Sequence, residues 1–281
     1  MKFLRLIPGL ALVLWPVLLQ AQAAAPARLG STVFDQARLT AKPTGNGERR
    51  DVNDGPTATF ERFESHITTL LPGRISHPPH QHLQEELIIL REGTLDVTIN
   101  GATTRAGPGS LLFFASNDFH NVKNVGDTPA TYFVFNFTTG ATKSAPKEGA
   151  AAAKLPGRLG STVFEWTKLE AKPTKTGERR DVVNSPTTTL AGFECHVTTI
   201  QPGEAPHAPH HHPDEEIVLV KDGTLEATLN GRTARAGPGS IIFAASNEEH
   251  GWHNAGNTAA TYYVMRIVTD STPKPAANTA P

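Results

Sequence analysis

Apolar and polar residues alternate along Thr94-Leu95-Asp96-Val97-Thr98-Ile99, and the run stops at Asn100-Gly101 before a second short run, Ala102 to Arg105. A period of two puts one side of a strand on a core and the other in water. Asn-Gly supplies the two left-handed positions of a tight hairpin turn, so the pattern predicts a β-hairpin here and another around Asn230-Gly231. The alternation lapses in Leu111-Leu112-Phe113-Phe114 and in Ile241-Ile242-Phe243-Ala244, each entered through Gly-Pro-Gly-Ser. Continuous apolar runs of that length predict strands buried on both faces. Elsewhere the runs are short, rich in β-branched residues and separated by Gly, Pro or Asn, with no long amphipathic helical pattern. The chain reads as all-β.

The pattern is written twice. RLGSTVF occurs at Arg28 and at Arg158, and an offset of 130 then holds without a gap to Thr139 over Thr269, with about half the positions identical. A period this long predicts two tandem domains, 24–139 and 158–270, joined by the small-residue linker 140–157 and followed by a tail, 271–281, that carries no apolar pattern. Residues 1–23 place Lys2 and Arg5 before an apolar stretch that ends at Ala21-Gln22-Ala23, the form of a cleaved signal peptide. The expected location is therefore periplasmic or secreted, with no membrane contact once the leader is removed.

Charge is nearly balanced, 26 Lys and Arg against 27 Asp and Glu, and no basic run interleaves with aromatics, which argues against nucleic acid. A small-molecule substrate is the expected partner, and the chain is compatible with a homo-oligomer. Cys195 is the only cysteine, so no intramolecular disulfide forms. It shares a strand face with Phe193 and Val197 and reads as a core residue.

Candidate chemistry sits in the histidines. In a regular strand His210, His212 and Glu216 project to one side and His211 to the other, and His80, His82 and Glu86 repeat the spacing. His120 and His250 begin a later strand, each followed four residues on by an asparagine. Three imidazoles and a carboxylate suit a divalent transition metal (Fe, Mn, Ni, Cu or Zn), one per repeat, and leave coordination positions open for exchange. His77 and His207 fall at the entrance. Glu64-x-His66-x-Thr68 and Glu194-x-His196-x-Thr198 form a polar strand face whose direction, inward or to solvent, the sequence leaves open. So does the role of Glu-Arg-Arg-Asp at Glu48 and Glu178, a carboxylate clamp or a surface charge cluster.

Taken together, Pro72-Gly73, His80-x-His82-x3-Glu86-x6-Gly93, Gly107-Pro108-Gly109 and His120-x3-Asn124, with their counterparts 130 residues on, resemble the two motifs of the cupin superfamily. The resemblance covers nearly all of Arg28 to Thr269 and describes a bicupin. It implies two double-stranded β-helix, jelly-roll barrels, each holding a metal through the three histidines and one glutamate just named. In one respect the chain departs from the usual second motif: Pro108-Gly109 and Pro238-Gly239 are adjacent, where a residue normally separates them.

The expected function is an exported, dioxygenase-like metalloenzyme acting on a small, oxygen-rich, metal-chelating substrate. Cupins of the oxalate-decarboxylase type have four residues between His-x-His and Glu where this chain has three, which tilts the resemblance toward the dioxygenase-like branch. An oxalate-decarboxylase-like, isomerase or lyase activity and a non-catalytic metal or small-ligand binding role are the alternatives. The second repeat carries His211, Glu249 and His253 where the first has Gln81, Phe119 and Lys123. Its site is therefore expected to be the more reactive, with Glu248 or Glu249 as proton carrier.

Overall fold

The structure is a computed structural model that describes residues 27–145 and 156–274. Residues 1–23, read from sequence as a signal peptide, lie outside the described residues, as do most of the expected linker and the end of the tail. Among the described residues are two seven-stranded and two three-stranded antiparallel sheets, and no helix long and apolar enough to cross a membrane. Gly140–Ser144, read from sequence as the start of the linker, forms a short 3-10 turn.

Both hairpins form as the pattern predicts. Leu95–Ile99 pairs with Ala102–Ala106, and Asn100 and Gly101 between them have φ of 48° and 86°. Gly93 also sits where a turn is needed: its φ is 87°, and a Cβ there would lie 2.5 Å from the Ala130 Cα.

Each repeat packs its large sheet against its small one around a core of its own. In the first repeat that core contains Ile88, Leu90, Val97, Leu112, Phe114 and Val134; in the second it contains Val218, Val220, Ala227, Ile242, Trp252 and Val264. A third core lies between the repeats and draws Phe63, Leu87, Ile89, Leu111 and Phe113 from one and Phe193, Cys195, Ile217, Ile241 and Phe243 from the other. The adjacent Pro and Gly do not disturb the strand that follows them. In Leu111–Phe114, residues 111 and 113 enter the shared core and residues 112 and 114 enter the barrel, which is why the run has no polar side. Cys195 is fully enclosed in the shared core, and burial pushes its thiol up, out of the range of a nucleophile.

The repeats also exchange a strand. Thr32–Phe34 pairs with Ile241–Phe243 of the second repeat, and Thr162–Phe164 pairs with Leu111–Phe113 of the first. Two buried glutamates fasten the same interface. Glu85 accepts hydrogen bonds from Thr187, from the Thr188 amide at 3.0 Å and from Thr189 at 2.8 Å. Glu215 accepts in turn from Thr57 at 2.7 Å and from the amides of Ala58 and Thr59.

Candidate metal centre

His80 and His82 lie in a loop ahead of the strand Glu85–Glu92, not in the strand that the spacing predicted. Convergence comes instead from a short antiparallel contact. His80 donates to the His120 carbonyl at 3.2 Å, and His120 returns the bond at 2.9 Å. His210 and His250 do the same at 3.0 and 2.9 Å. Glu86 and Glu216 arrive from the strand itself, facing away from their neighbours Glu85 and Glu215, so one peptide unit separates the site from the interface between the repeats.

The second repeat brings one donor atom from each of His210, His212, Glu216 and His250 within 4.8 Å of one another. The first does so for His80, His82 and His120. Its Glu86 lines the same cavity, 3.4 Å from His82 Nε2, but falls outside that cluster. His211 is exposed.

The second-nitrogen contacts make these rings ready ligands. Nδ1 of His82 donates to the Gln84 carbonyl, that of His120 to Asp118, that of His212 to Asp214 and that of His250 to Glu248, all at 2.8–2.9 Å. In a neutral ring this leaves Nε2 with the lone pair. Nε2 of His120 and of His250 is buried without a hydrogen-bond partner, an arrangement proteins avoid unless something else takes the lone pair. His210 differs, in that its Nδ1 is the buried, unpartnered nitrogen. Three imidazoles and a carboxylate with orphaned nitrogens between them fit a divalent transition metal.

The groups in each cluster polarise one another. Burial raises the Glu216 carboxyl, but the His212 ring bonded to it at 2.9 Å and the His250 ring 3.6 Å away outweigh it and hold it at about 2. Burial lowers His212, yet its bonds to the Asp214 and Glu216 carboxylates push it up to about 9. Glu86 is held below its ordinary value in the same way, burial being outweighed by His82 and His120.

A cavity of about 370 Å³ opens beside the second cluster, walled by Arg179, His196, Thr198, Trp252, Tyr262 and Val264 among others. The first cluster faces two cavities, one of about 160 Å³ that includes His66, Thr68, Phe114 and Tyr132 and one of about 290 Å³ that includes Arg49, Glu64, His66 and His82. The aromatic wall changes sides between the repeats. Phe114 stacks on His120 with ring centroids 4.2 Å apart, while in the second repeat that position is Ala244 and Trp252 lies parallel to His250 at 6.1 Å. Trp252 Nε1 and the Tyr262 hydroxyl are buried on this wall without a partner of ordinary hydrogen-bond geometry.

The open question about the polar strand face is resolved inward. His66 and His196 line the cavities, and each donates Nδ1–H to a glutamate, Glu64 or Glu194, at 2.8 Å. Arg49 and Arg179 from the Glu-Arg-Arg-Asp segments bond the same two carboxylates at 2.7 and 2.9 Å. They also bond Asp51 and Asp181, so the guanidinium groups are engaged by the protein's own carboxylates.

Glu248 and Glu249 require a correction, because the structure brings neither to the cavity. Glu248 accepts from the Ser31 amide at 3.0 Å and from Asn230 at 2.7 Å, which anchors the exchanged strand. Asp118, its counterpart, likewise binds Ser161 at 2.6 Å. Glu249 precedes an inward-facing His250 and so points out, where it is exposed. Sequence reasoning also passed over Asp214 and Arg266, which form a two-pronged ion pair behind His212; their difference from Gln84 and Asn136 at the 130-residue offset was the available signal.

The family model described as the cupin domain, Cupin_2, matches residues 66–136 and again 196–266. The L-ectoine synthases of Bordetella parapertussis and Bordetella bronchiseptica are 35% identical over 60 residues, 21% of this chain and 46% of theirs. The chain therefore aligns to less than half the length of these curated relatives. Among solved structures, AerE from Microcystis aeruginosa superposes with a TM-score of 0.62 at 18% identity, over 82% of this chain and 98% of that one. A Bacillus subtilis oxalate decarboxylase, described with Mn(II) centres, gives 0.61 at 17% identity over 88% and 80%. At such identities the likeness is one of fold.

Proposed function

The chain belongs to the cupin domain family in both of its halves, and from that premise we propose that it is a metal-dependent enzyme acting on a small, oxygen-rich substrate by proton transfer, as a lyase or isomerase. His210, His212, Glu216 and His250 are the residues that hold the metal in the second half, and His80, His82, His120 and Glu86 those in the first. A divalent cation held by these residues would supply Lewis-acid chemistry to a bound substrate. The observation that carries the reading is the Glu194–His196 pair on the cavity wall beside the cluster. With Nδ1–H committed to Glu194, His196 has Nε2 left for the substrate. Glu194, itself held by Arg179, stabilises the imidazolium formed when His196 takes a proton. The Trp252 N–H and Tyr262 O–H, close to each other and to Thr198 on the same wall, offer donors to substrate oxygens. His66 and Glu64 repeat the pair beside the first cluster.

A dioxygenase-like reaction is the second reading, favoured by the apolar side of the same wall, Val264 with the faces of Trp252 and Tyr262. The apolar leader supports a periplasmic or secreted location, with a small molecule as partner. Metal analysis of protein prepared without a histidine tag comes first, with Mn²⁺ as the first ion to test because a solved structure of the same fold has Mn(II) centres. A panel of small hydroxy, oxo and dicarboxylic acids, enediols and catechols is then assayed with and without oxygen. Oxygen-independent turnover that falls roughly 100-fold or more in His196→Gln, with metal content unchanged, is the expected result. Oxygen consumption coupled to turnover selects the second reading, and a metal-free protein rejects both.

A further inference from the structure

The two centres are not equivalent, and the difference lies behind one ligand. In the first repeat, His82 Nδ1 donates only to the Gln84 carbonyl, at 2.8 Å. In the second, His212 Nδ1 meets both the Asp214 carbonyl at 2.9 Å and the Asp214 carboxylate at 3.2 Å. Asp214 is 6% exposed, and Arg266 clamps it with two parallel bonds, Nε to Oδ2 at 2.8 Å and Nη2 to Oδ1 at 2.9 Å. Such a fork fixes a carboxylate and keeps it ionised. A carboxylate behind a ligating histidine orients the ring and makes its other nitrogen a stronger donor.

The first repeat spends the equivalent position differently. Asn136, where Arg266 would be, bonds Glu64 at 2.7 Å and so supports the His66 pair. The matching oxygen of Glu194 is buried without a partner. The ligand clusters agree with this division: the second gathers four donors and the first three, with the carboxylate 2.9 Å from His212 but 3.4 Å from His82.

Resting on the metal-binding reading above, we propose that the second centre binds a divalent cation about tenfold or more tighter than the first, and that Asp214, held by Arg266, is the positioning residue responsible. The test is a Co²⁺ titration of the full chain after chelator treatment, followed by calorimetry and by the visible absorption of the bound ion. The native protein should give a tight and a weak site, with the tight one lost in H210A/H212A and kept in H80A/H82A. D214Q/R266N installs the pair that the first repeat already uses. It should weaken the tight site roughly tenfold or more and shift its absorption bands, leaving the weak site as it was. Q84D/N136R should tighten the first site, a gain that disrupted folding cannot produce. Equal sites in the native chain, a tight site that survives H210A/H212A, or an unchanged D214Q/R266N would overturn the proposal alone. Absence of Co²⁺ from both sites would overturn the metal reading with it.

Discussion

Glu85 and Glu86 are neighbours with opposite tasks, and Glu215 and Glu216 repeat the division. The second of each pair faces the ligand cluster, while the first is fully buried at the interface between the repeats. Burial raises the Glu85 and Glu215 carboxyls above the ordinary 4.5, against the pull of the threonine and amide donors around them. A carboxyl that keeps its proton to higher pH in the folded chain than in the unfolded one loses stability as pH rises past the unfolded value, because the unfolded state releases its proton first. Replacing both by Gln should therefore flatten the fall in melting temperature as pH rises from about 4.5; an identical slope would mean that neither group titrates as argued. Thr189→Val removes one donor from a buried acceptor and should cost about 1–2 kcal/mol in denaturant unfolding. The Phe63 side chain, stacked on Phe243 of the other repeat at 5.7 Å, gives a larger figure. Phe63→Ala should lose about 3–5 kcal/mol through the cavity it leaves in the shared core.

At the scale of the element, the exchanged strand Thr32–Phe34 covers the edge of Ile241–Ala244. A chain lacking residues 28–34 leaves that apolar edge with unpaired backbone groups, which invite pairing with another molecule. Light scattering should show association of this variant at concentrations where the intact chain is dispersed. The hairpins, the doubly buried strands and the candidate histidines that converge in each repeat were legible in the sequence, because each recurs at a fixed offset. The exchange was not. RLGSTVF is identical in both copies, and its two possible partners, LLFF and IIFA, are alike in being apolar throughout, so nothing local tells a strand which sheet to join. Glu248 was misread for the same reason, since its partner Ser31 is 217 residues away. The loop that carries His80 and His82 did leave a sign: Pro78 and Pro79, like Pro209 and Pro213, remove backbone donors that a regular strand would need.

The main links between the repeats occur twice with the partners reversed. Each gives its first strand to the other's large sheet, each buries a glutamate in the other's threonine loop, and each sets a phenylalanine against the other's core, Phe63 on Phe243 and Phe113 on Phe193. Reciprocal contacts of this kind define the self-complementary interface of a two-fold dimer, here written into one chain. A single half, expressed alone, lacks the seventh strand of its large sheet and exposes its share of the common core, yet it carries both sides of each of these three contacts. It should therefore fold as a homodimer that exchanges Thr32–Phe34, or Thr162–Phe164, with a second copy of itself. Sedimentation of residues 24–139 and of 158–270, each as a separate polypeptide, tests this directly. Dimers that dissociate and unfold in one concentration-dependent transition are expected. A half that sediments as a monomer and melts independently of concentration would mean that each barrel is complete without the other, and that the exchange is an ornament of the fold and not its support.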